Sequence, residues 1–342
     1  MQVSIVCSTR SLNSNYRARV PLGELERNGR IRCSLHDPNS PEFRIAALTA
    51  ADVVLVHRYA NDQMRNVLRG LRDRGVAIVW DNDDDTSAIP RSNPLYRRHG
   101  GAGGQRIARD IARAVQLADV VTTPSESLAA SYRAAGASDV RVLENYLPDF
   151  FPRVKPQPHD GVVLVWTAAL EHQGDYQQLK LRDTFGRLLD AHPDLRILSL
   201  GLGLGLSSPR YEHVPFVPFP QLAETLAGAD VGIAPLTDIP WNRARSNVKL
   251  KEYAAAGLPW LASPVGAYRA LGEKQGGRLV GDEAWGEEIS KLILDAKARK
   301  KLGGKAHKWA KGETIDRHAD LWDKALRDAI AAARSTPLAR SA

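Results

Sequence analysis

Between Asn242 and Glu252 the chain sets out Asn242-x-x-Arg245-Ser246-x-x-Lys249-x-x-Glu252, with Arg243 inside the same stretch. Arg243, Arg245 and Lys249 are cations in a loop that feeds a helix expected around 248–256. Free backbone N–H groups at Ser246, Asn247 and Val248 and the helix dipole attract an anion there, and the side-chain cations add to them. The chemistry this suits is the capture of a diphosphate. A solvated basic loop on an ordinary α/β domain has the same composition, and composition alone does not separate the two. The second candidate is Asp81-Asn82-Asp83-Asp84-Asp85. Its carboxylates could hold a divalent cation, act as a general base or a ligand for an acceptor hydroxyl, or cap the following turn.

Both stretches sit at the ends of predicted strands. Residues 231–236 form a short apolar run, stopped by the turn-prone Asp238 and Pro240. The helix after the basic loop is closed by Gly257 and Pro259, and 260–263 resumes an apolar strand. Strand, loop, helix and strand make a βαβ unit whose loop lies outside the carboxyl end of a strand, where α/β sheets bind ligands. The acidic cluster follows a strand over 76–80 in the same way.

The rest of the chain repeats this alternation. The first half reads as strands over 3–7, 31–35, 52–57, 76–80, 119–123 and 140–143, the third nearly all apolar as a strand buried on both faces should be. Helices are expected over 16–28, 62–74, 107–117 and 125–135. Tyr16 and Arg17 open the first of these and are placed at the carboxyl end of the first strand, facing a ligand. Residues 90–104, with Arg91, Arg97, Arg98, His99 and a glycine run, read as a loop. Those glycines follow no strand and so do not fit a dinucleotide fingerprint. A proline-rich stretch, 148–159, is the clearest composition break and marks a domain boundary.

In the second half, strands over 162–166, 195–200 and 214–217 and helices over 176–192, 220–227 and 283–297 precede a last helical region from Lys301 to about Ala332. Glu171, His172 and Asp175 lie in a polar loop after the strand that ends at Trp166. The tail after Arg334 is expected to be disordered.

The run Asp230-Val-Gly-Ile-Ala-Pro-Leu236, then Asn242-x-x-Arg245-Ser246-x-x-Lys249-x-x-Glu252-Tyr253-Ala-Ala-x-Gly257-x-Pro259, then Ala262-Ser263-x-x-Gly266-x-Tyr268 resembles the donor-binding segment of GT-B glycosyltransferases. The likeness is to the retaining, family-4-like branch that uses nucleotide-diphosphate sugars. It implies an α/β protein with two Rossmann-like domains facing a cleft, 1–150 on the acceptor side and 151–308 on the donor side. A C-terminal helix, 309–334, returns to the N-terminal domain. It implies sugar transfer to an acceptor hydroxyl with retention, without a metal ion or other cofactor, from a UDP- or GDP-sugar donor. Arg245 and Lys249 take catalytic roles, and Trp166, His172, Asp175, Asn242, Arg243, Ser246, Asn247, Val248 and Glu252 bind the donor. On the acceptor side it places Tyr16, Arg17, Asp83 and Asp85, with Asp84 near the reacting hydroxyl.

Two departures bear on these roles. Ala244 stands where the family's first glutamate falls, as in the branch with Asn, Arg-Ser and Lys here. Thr167-Ala-Ala-Leu-Glu171 replaces the usual Gly-Arg…Lys pair, which shifts diphosphate neutralisation onto 243–249.

At 342 residues the chain is long enough for two domains. No apolar run approaches the ~20 residues of a membrane-spanning helix, and the N-terminal run is too short for a signal peptide. Cys7 and Cys33, the only cysteines, form neither a metal pattern nor a disulfide framework, so an intracellular, cytoplasmic protein is expected. A net charge of +8 favours anionic partners: a nucleotide sugar, an anionic acceptor such as modified nucleic acid, a lipid-linked sugar or a polymer, or the inner face of a membrane by peripheral contact. Two other function classes fit the same features. One is a nucleotide-sugar 2-epimerase or other phospho-sugar enzyme on the same architecture, and the other a basic nucleic-acid-binding protein. The arginines are not interleaved with aromatics as a stacking surface for nucleic acid requires.

Overall fold

The computed structural model describes every residue except Arg10 and 336–342; all but the first residue of the expected tail therefore lies outside the described residues. The chain forms two compact units. One contains Met1–Ala88, His99–Tyr146 and the residues from Ile315 on, the other Ile89–Arg98 and Leu147–Thr314.

In chain order the first 146 residues form β1 (Gln2–Val6), α1 (Val20–Arg27), β2 (Arg32–His36), β3 (Val53–His57), α2 (Asp62–Arg72), β4 (Ala77–Asp81), α3 (Tyr96–His99), α4 (Gly101–Val115), β5 (Val120–Thr123), α5 (Glu126–Ala134) and β6 (Val140–Val142). The strands make one sheet in the order β2-β1-β3-β4-β5-β6, every pair parallel. Every residue of β3, β4 and β5 is buried, as expected where helices cover both faces of a parallel sheet. The last helix among the described residues, α13 (Ala319–Ser335), completes this unit. Its Trp322, Ala325, Leu326 and Ala329 are buried in one cluster with Val3, Leu22, Val53 and Val79.

Residues 147–314 repeat the pattern as β7 (Val162–Ala168), α6 (Gln173–Gln178), α7 (Leu181–Ala191), β8 (Leu195–Gly201), β9 (Tyr211–Val214), α8 (Leu222–Leu226), β10 (Val231–Ala234), α9 (Pro240–Arg243), α10 (Val248–Ala255), β11 (Trp260–Ala262), β12 (Gly277–Leu279), α11 (Trp285–Leu294) and α12 (Ala296–Ala310). The sheet order is β12-β11-β10-β7-β8-β9, again wholly parallel. One cluster contains Trp166, Phe185, Ile233 and Trp285, and another Val165, Tyr253, Leu258 and Trp260. The alternating strands and helices of both halves are therefore as the sequence implied. Among the described residues no helix is long and apolar enough to cross a membrane.

Local departures have physical causes. The helix expected over 16–28 begins as a wide π-type turn, Asn15–Arg19, and becomes α-helical at Val20, with Pro21 in its first turn, where a missing N–H costs nothing. The expected loop 90–104 contains α3 and the start of α4. Gly104 allows this, since a Cβ there would lie 2.8 Å from the carbonyl oxygens of His99 and Thr86. The helix expected over 176–192 is broken at Lys180, which takes φ 50°, dividing it into α6 and α7. The expected terminal helix from Lys301 is likewise two, α12 and α13.

Candidate functional site

Residues 237–249 are folded around Asp175. Its Oδ1 accepts from the Thr237 backbone N–H (2.9 Å), the Thr237 hydroxyl (2.7 Å) and the Asn242 amide (2.8 Å). Its Oδ2 lies 3.0 Å from His172 Nδ1. With the carboxylate as acceptor, the imidazole carries its proton on Nδ1, which leaves Nε2 as an acceptor. Lys249 Nζ donates to that Nε2 at 3.1 Å, and Arg245 Nη1 approaches it at 3.4 Å. Arg245 lies over the Trp241 ring, 5.3 Å from its centre, and its Nη2 is 3.5 Å from Glu171. Arg245 Nε and Nη2 are buried and have no hydrogen-bond acceptor.

The helix that carries Lys249 and Glu252 is set against the sheet by Tyr253. Its ring lies on Gly232 of β10, where a Cβ would come within 2.4 Å of it. Its hydroxyl accepts from the Thr167 N–H at 2.9 Å and donates to the Ile233 carbonyl at 2.8 Å. This fixes the start of α10 beside the carboxyl ends of β7 and β10.

The electrostatics follow from two cations on one neutral ring. Burial, then Lys249 and Arg245, lower the His172 pKa to about 4 against the pull of Asp175. Loss of solvation and the neighbouring Arg245 lower Lys249 to about 8, opposed by Glu252, Glu171 and Asp175. Burial would raise the carboxyl of Glu171, but the nearby cations, Arg245 first, outweigh it and lower its pKa. A half-buried pair of cations held this way has donors left over, and a multivalent anion with several oxygens is the ligand that satisfies them.

The acidic cluster in the first unit is arranged differently. Asp81 is wholly buried and receives a bidentate approach from Arg17, with Nη2 at 2.6 Å. It also accepts from the Thr122 hydroxyl at 2.6 Å and pairs with His57 Nδ1 at 2.8 Å. Burial would raise its pKa; Arg17 and His57 outweigh burial and hold it at about 2. Arg58, at φ 71°, binds Asp83 through Nε at 2.6 Å and Asp84 through Nη2. Asp85 accepts from the Ser87 N–H and hydroxyl. Asp84, Asp85, Ser131 and Tyr132 border a pocket of about 140 Å³ floored by Ile111 and Leu128. Among the described residues no group of three or more His, Cys, Asp or Glu side chains is placed to hold a metal ion.

Of the residues singled out from the sequence, Arg245, Lys249, His172 and Asp175 form one network, and Asn242 braces it with its amide directed at Asp175 and Thr237. Ser246, Asn247 and Val248 lead into α10, and Glu252 is buried within that helix. Trp166 is enclosed in the core, its ring centre 6.1 Å from that of His172. Arg243 lies apart, half-exposed and paired with Asp238 at 2.6 Å. Arg17, placed toward a ligand by the sequence reading, is fully buried on Asp81, and Tyr16 is also buried. Sequence reasoning gave no role to Trp241, Thr237, His57 or Arg58. Nothing in their spacing marks them, because each acts through a partner distant in the chain or through packing.

No family profile matches the chain, and no curated protein matches it. Among solved structures, the chain is similar to Anabaena HepE in complex with UDP and glucose, at 14% identity and TM-score 0.66 over 95% of this chain and 99% of that one. It is similar to sucrose-phosphate synthase from Thermosynechococcus elongatus, at 14% identity and TM-score 0.68 over 97% and 100%. It is also similar to the UDP-GlcNAc 2-epimerase of Neisseria meningitidis bound to UDP-GlcNAc, at 14% identity and TM-score 0.58 over 96% and 100%. At these identities the likeness concerns the backbone alone: this chain has the GT-B fold, two Rossmann-like units each built on a six-stranded parallel sheet.

Proposed function

We propose that the protein is a glycosyltransferase that takes a sugar from a nucleoside-diphosphate sugar and passes it to an acceptor hydroxyl with retention of configuration. The observation that carries this reading is the Arg245–Lys249 pair on the acceptor nitrogen of His172, with Nε and Nη2 of Arg245 making no hydrogen bond and Nη2 only 3.5 Å from the Glu171 carboxylate. The diphosphate fits there, and its charge is met by these two cations and by the N–H groups at the start of α10 in place of a metal ion. Glu252 takes the ribose hydroxyls. In the transfer, the bond between the sugar's C1 and the phosphate oxygen breaks with its electron pair going to the diphosphate. A new C1–O bond forms to the acceptor, whose proton passes to the departing phosphate oxygen. The cations act on the charge that develops on the leaving group, where preorganised electrostatics gain most.

The acceptor belongs, on this reading, to the first unit, with Asp84 and Asp85 beside the 140 Å³ pocket as hydroxyl ligands. An epimerase is the second reading, favoured by structural neighbours described as 2-epimerases. The experiment that separates the two incubates the pure protein with UDP- and GDP-sugars, with and without a mixed pool of hydroxyl acceptors, and follows products by NMR. Acceptor-dependent release of the diphosphate with an unchanged anomeric configuration supports transfer with retention. A 2-epimer formed without acceptor would establish the alternative.

A further inference from the structure

Helix α12 and the residue after it carry Lys297, Arg299, Lys300, Lys301, Lys305, His307, Lys308 and Lys311, and no acid lies between Asp295 and Glu313. Two of these bases are structural: Arg299 donates to the Leu292 and Ile293 carbonyls that end α11, and His307 Nδ1 meets the Ala255 carbonyl. Asp295 is used as well, capping α12 by accepting from the Ala298 N–H.

The side chains of the six lysines make no hydrogen bond or ion pair among the described residues, and each is exposed or half-exposed. At about 100° per residue they fall within an arc of about 140° and extend about 21 Å along the axis. The opposite side, with Leu302, Gly303, Ala306 and Ala310, is buried. Gly303 lets it seat closely, since a Cβ there would lie 2.3 Å from the Gly257 carbonyl. Like charges this close repel one another, so the face is favourable only against a polyanion.

We propose that the lysine face of α12 docks the protein on an anionic membrane surface. The chemistry of the face selects that partner over a nucleic acid. It offers flexible point charges, which suit mobile headgroups, and no guanidinium fork for fixed phosphates. It carries no Asn, Gln or aromatic side chain that would read or stack on bases. Leu294, 75% exposed at the end of α11 and next to Asp295, the N-cap of α12, adds an exposed apolar side chain near that end of the helix. The attraction is electrostatic, falls off within a Debye length and weakens with salt. This inference is independent of the donor site, because none of these lysines touches it.

The test is co-sedimentation of the full chain with phosphatidylcholine vesicles and with vesicles that also contain phosphatidylglycerol. The comparison protein carries Lys297→Glu, Lys301→Glu and Lys308→Glu together, all on the solvent side, with far-UV circular dichroism and thermal unfolding as the check on folding. A second comparison protein carries Arg69→Glu, Arg72→Glu and Arg74→Glu on the other unit. The expected result is binding only to the anionic vesicles, lost at high salt, weakened on the order of 100-fold by the α12 substitutions and little changed by the arginine substitutions. Three results would overturn the proposal: no vesicle binding at low salt, equal binding by the α12 variant, or tighter α12-dependent binding to duplex DNA than to the anionic vesicles.

Discussion

Lys249 and Arg245 act as a pair because one imidazole nitrogen serves both. His172 can do so only while it is uncharged and its other nitrogen is occupied by Asp175. Two pH effects follow with opposite origins. Lys249, at about 8, must be protonated to hold an anion, and a bound anion raises its pKa. Affinity for a nucleoside diphosphate should therefore fall above about pH 8, by at most about tenfold per unit. Calorimetric titration from pH 7 to pH 10 reads this, and Lys249→Arg should flatten the profile. His172 is lowered to about 4, so between its ordinary value and about 4 the unfolded chain binds a proton that the folded protein does not. Its contribution is a loss of stability as pH falls through that window, and His172→Gln should remove that part of the slope in urea unfolding.

A third expectation concerns Arg17, whose partner Asp81 has no access to solvent. Arg17→Ala leaves a buried carboxylate without its main counter-charge. It should cost about 3–5 kcal/mol, read as a lower urea midpoint with an unchanged slope.

The position of α10 decides the position of Lys249 and Glu252. That helix is seated through Gly232, which lets the Tyr253 ring lie flat against β10. Gly232→Val would force the ring and the helix outward. We expect a loss of about 1–3 kcal/mol together with weaker diphosphate binding. Gly23→Ala, in α1 with open space around the new methyl, should instead stabilise by roughly 0.5–1 kcal/mol. Thermal unfolding of both variants with and without diphosphate checks the pair.

Elements of this kind were legible in the sequence where a pattern is local. The buried strands announce themselves as apolar runs, and the loop before α10 by its cations and the glycine and proline after the helix. The break at Lys180 was not legible, since a lysine with positive φ leaves no mark in composition. Nor was the inward turn of Arg17. A cation after a strand can face a ligand or a carboxylate, and the carboxylate here is 64 residues away. The glycine run in α4 looked like a loop because a close approach to two carbonyls is a property of the fold.

The whole chain is two sheet-centred units, and the first is completed by residues from the far end of the sequence. Trp322 and Leu326 of α13 are buried among side chains of β1, β3 and β4, and Arg17 lies over the Trp322 ring at 5.0 Å. Truncation after Thr314 should expose that core and abolish cooperative unfolding of the first unit. The second unit should keep its diphosphate affinity, because its site draws on Glu171 to Glu252 alone. Hydrogen exchange of the truncated protein, with and without UDP, distinguishes the two units peptide by peptide.

The central claim is that Arg245 and Lys249 form a diphosphate site in the second unit. Thermal unfolding of the intact protein against UDP, GDP, ADP, CMP and dTDP, repeated with Arg245→Ala, tests it most directly. The account predicts that one nucleoside diphosphate raises stability, by roughly 2.7 kcal/mol at about 100 times its dissociation constant, and that Arg245→Ala loses the shift. No shift with any nucleotide, or an equal shift in Arg245→Ala, would contradict it.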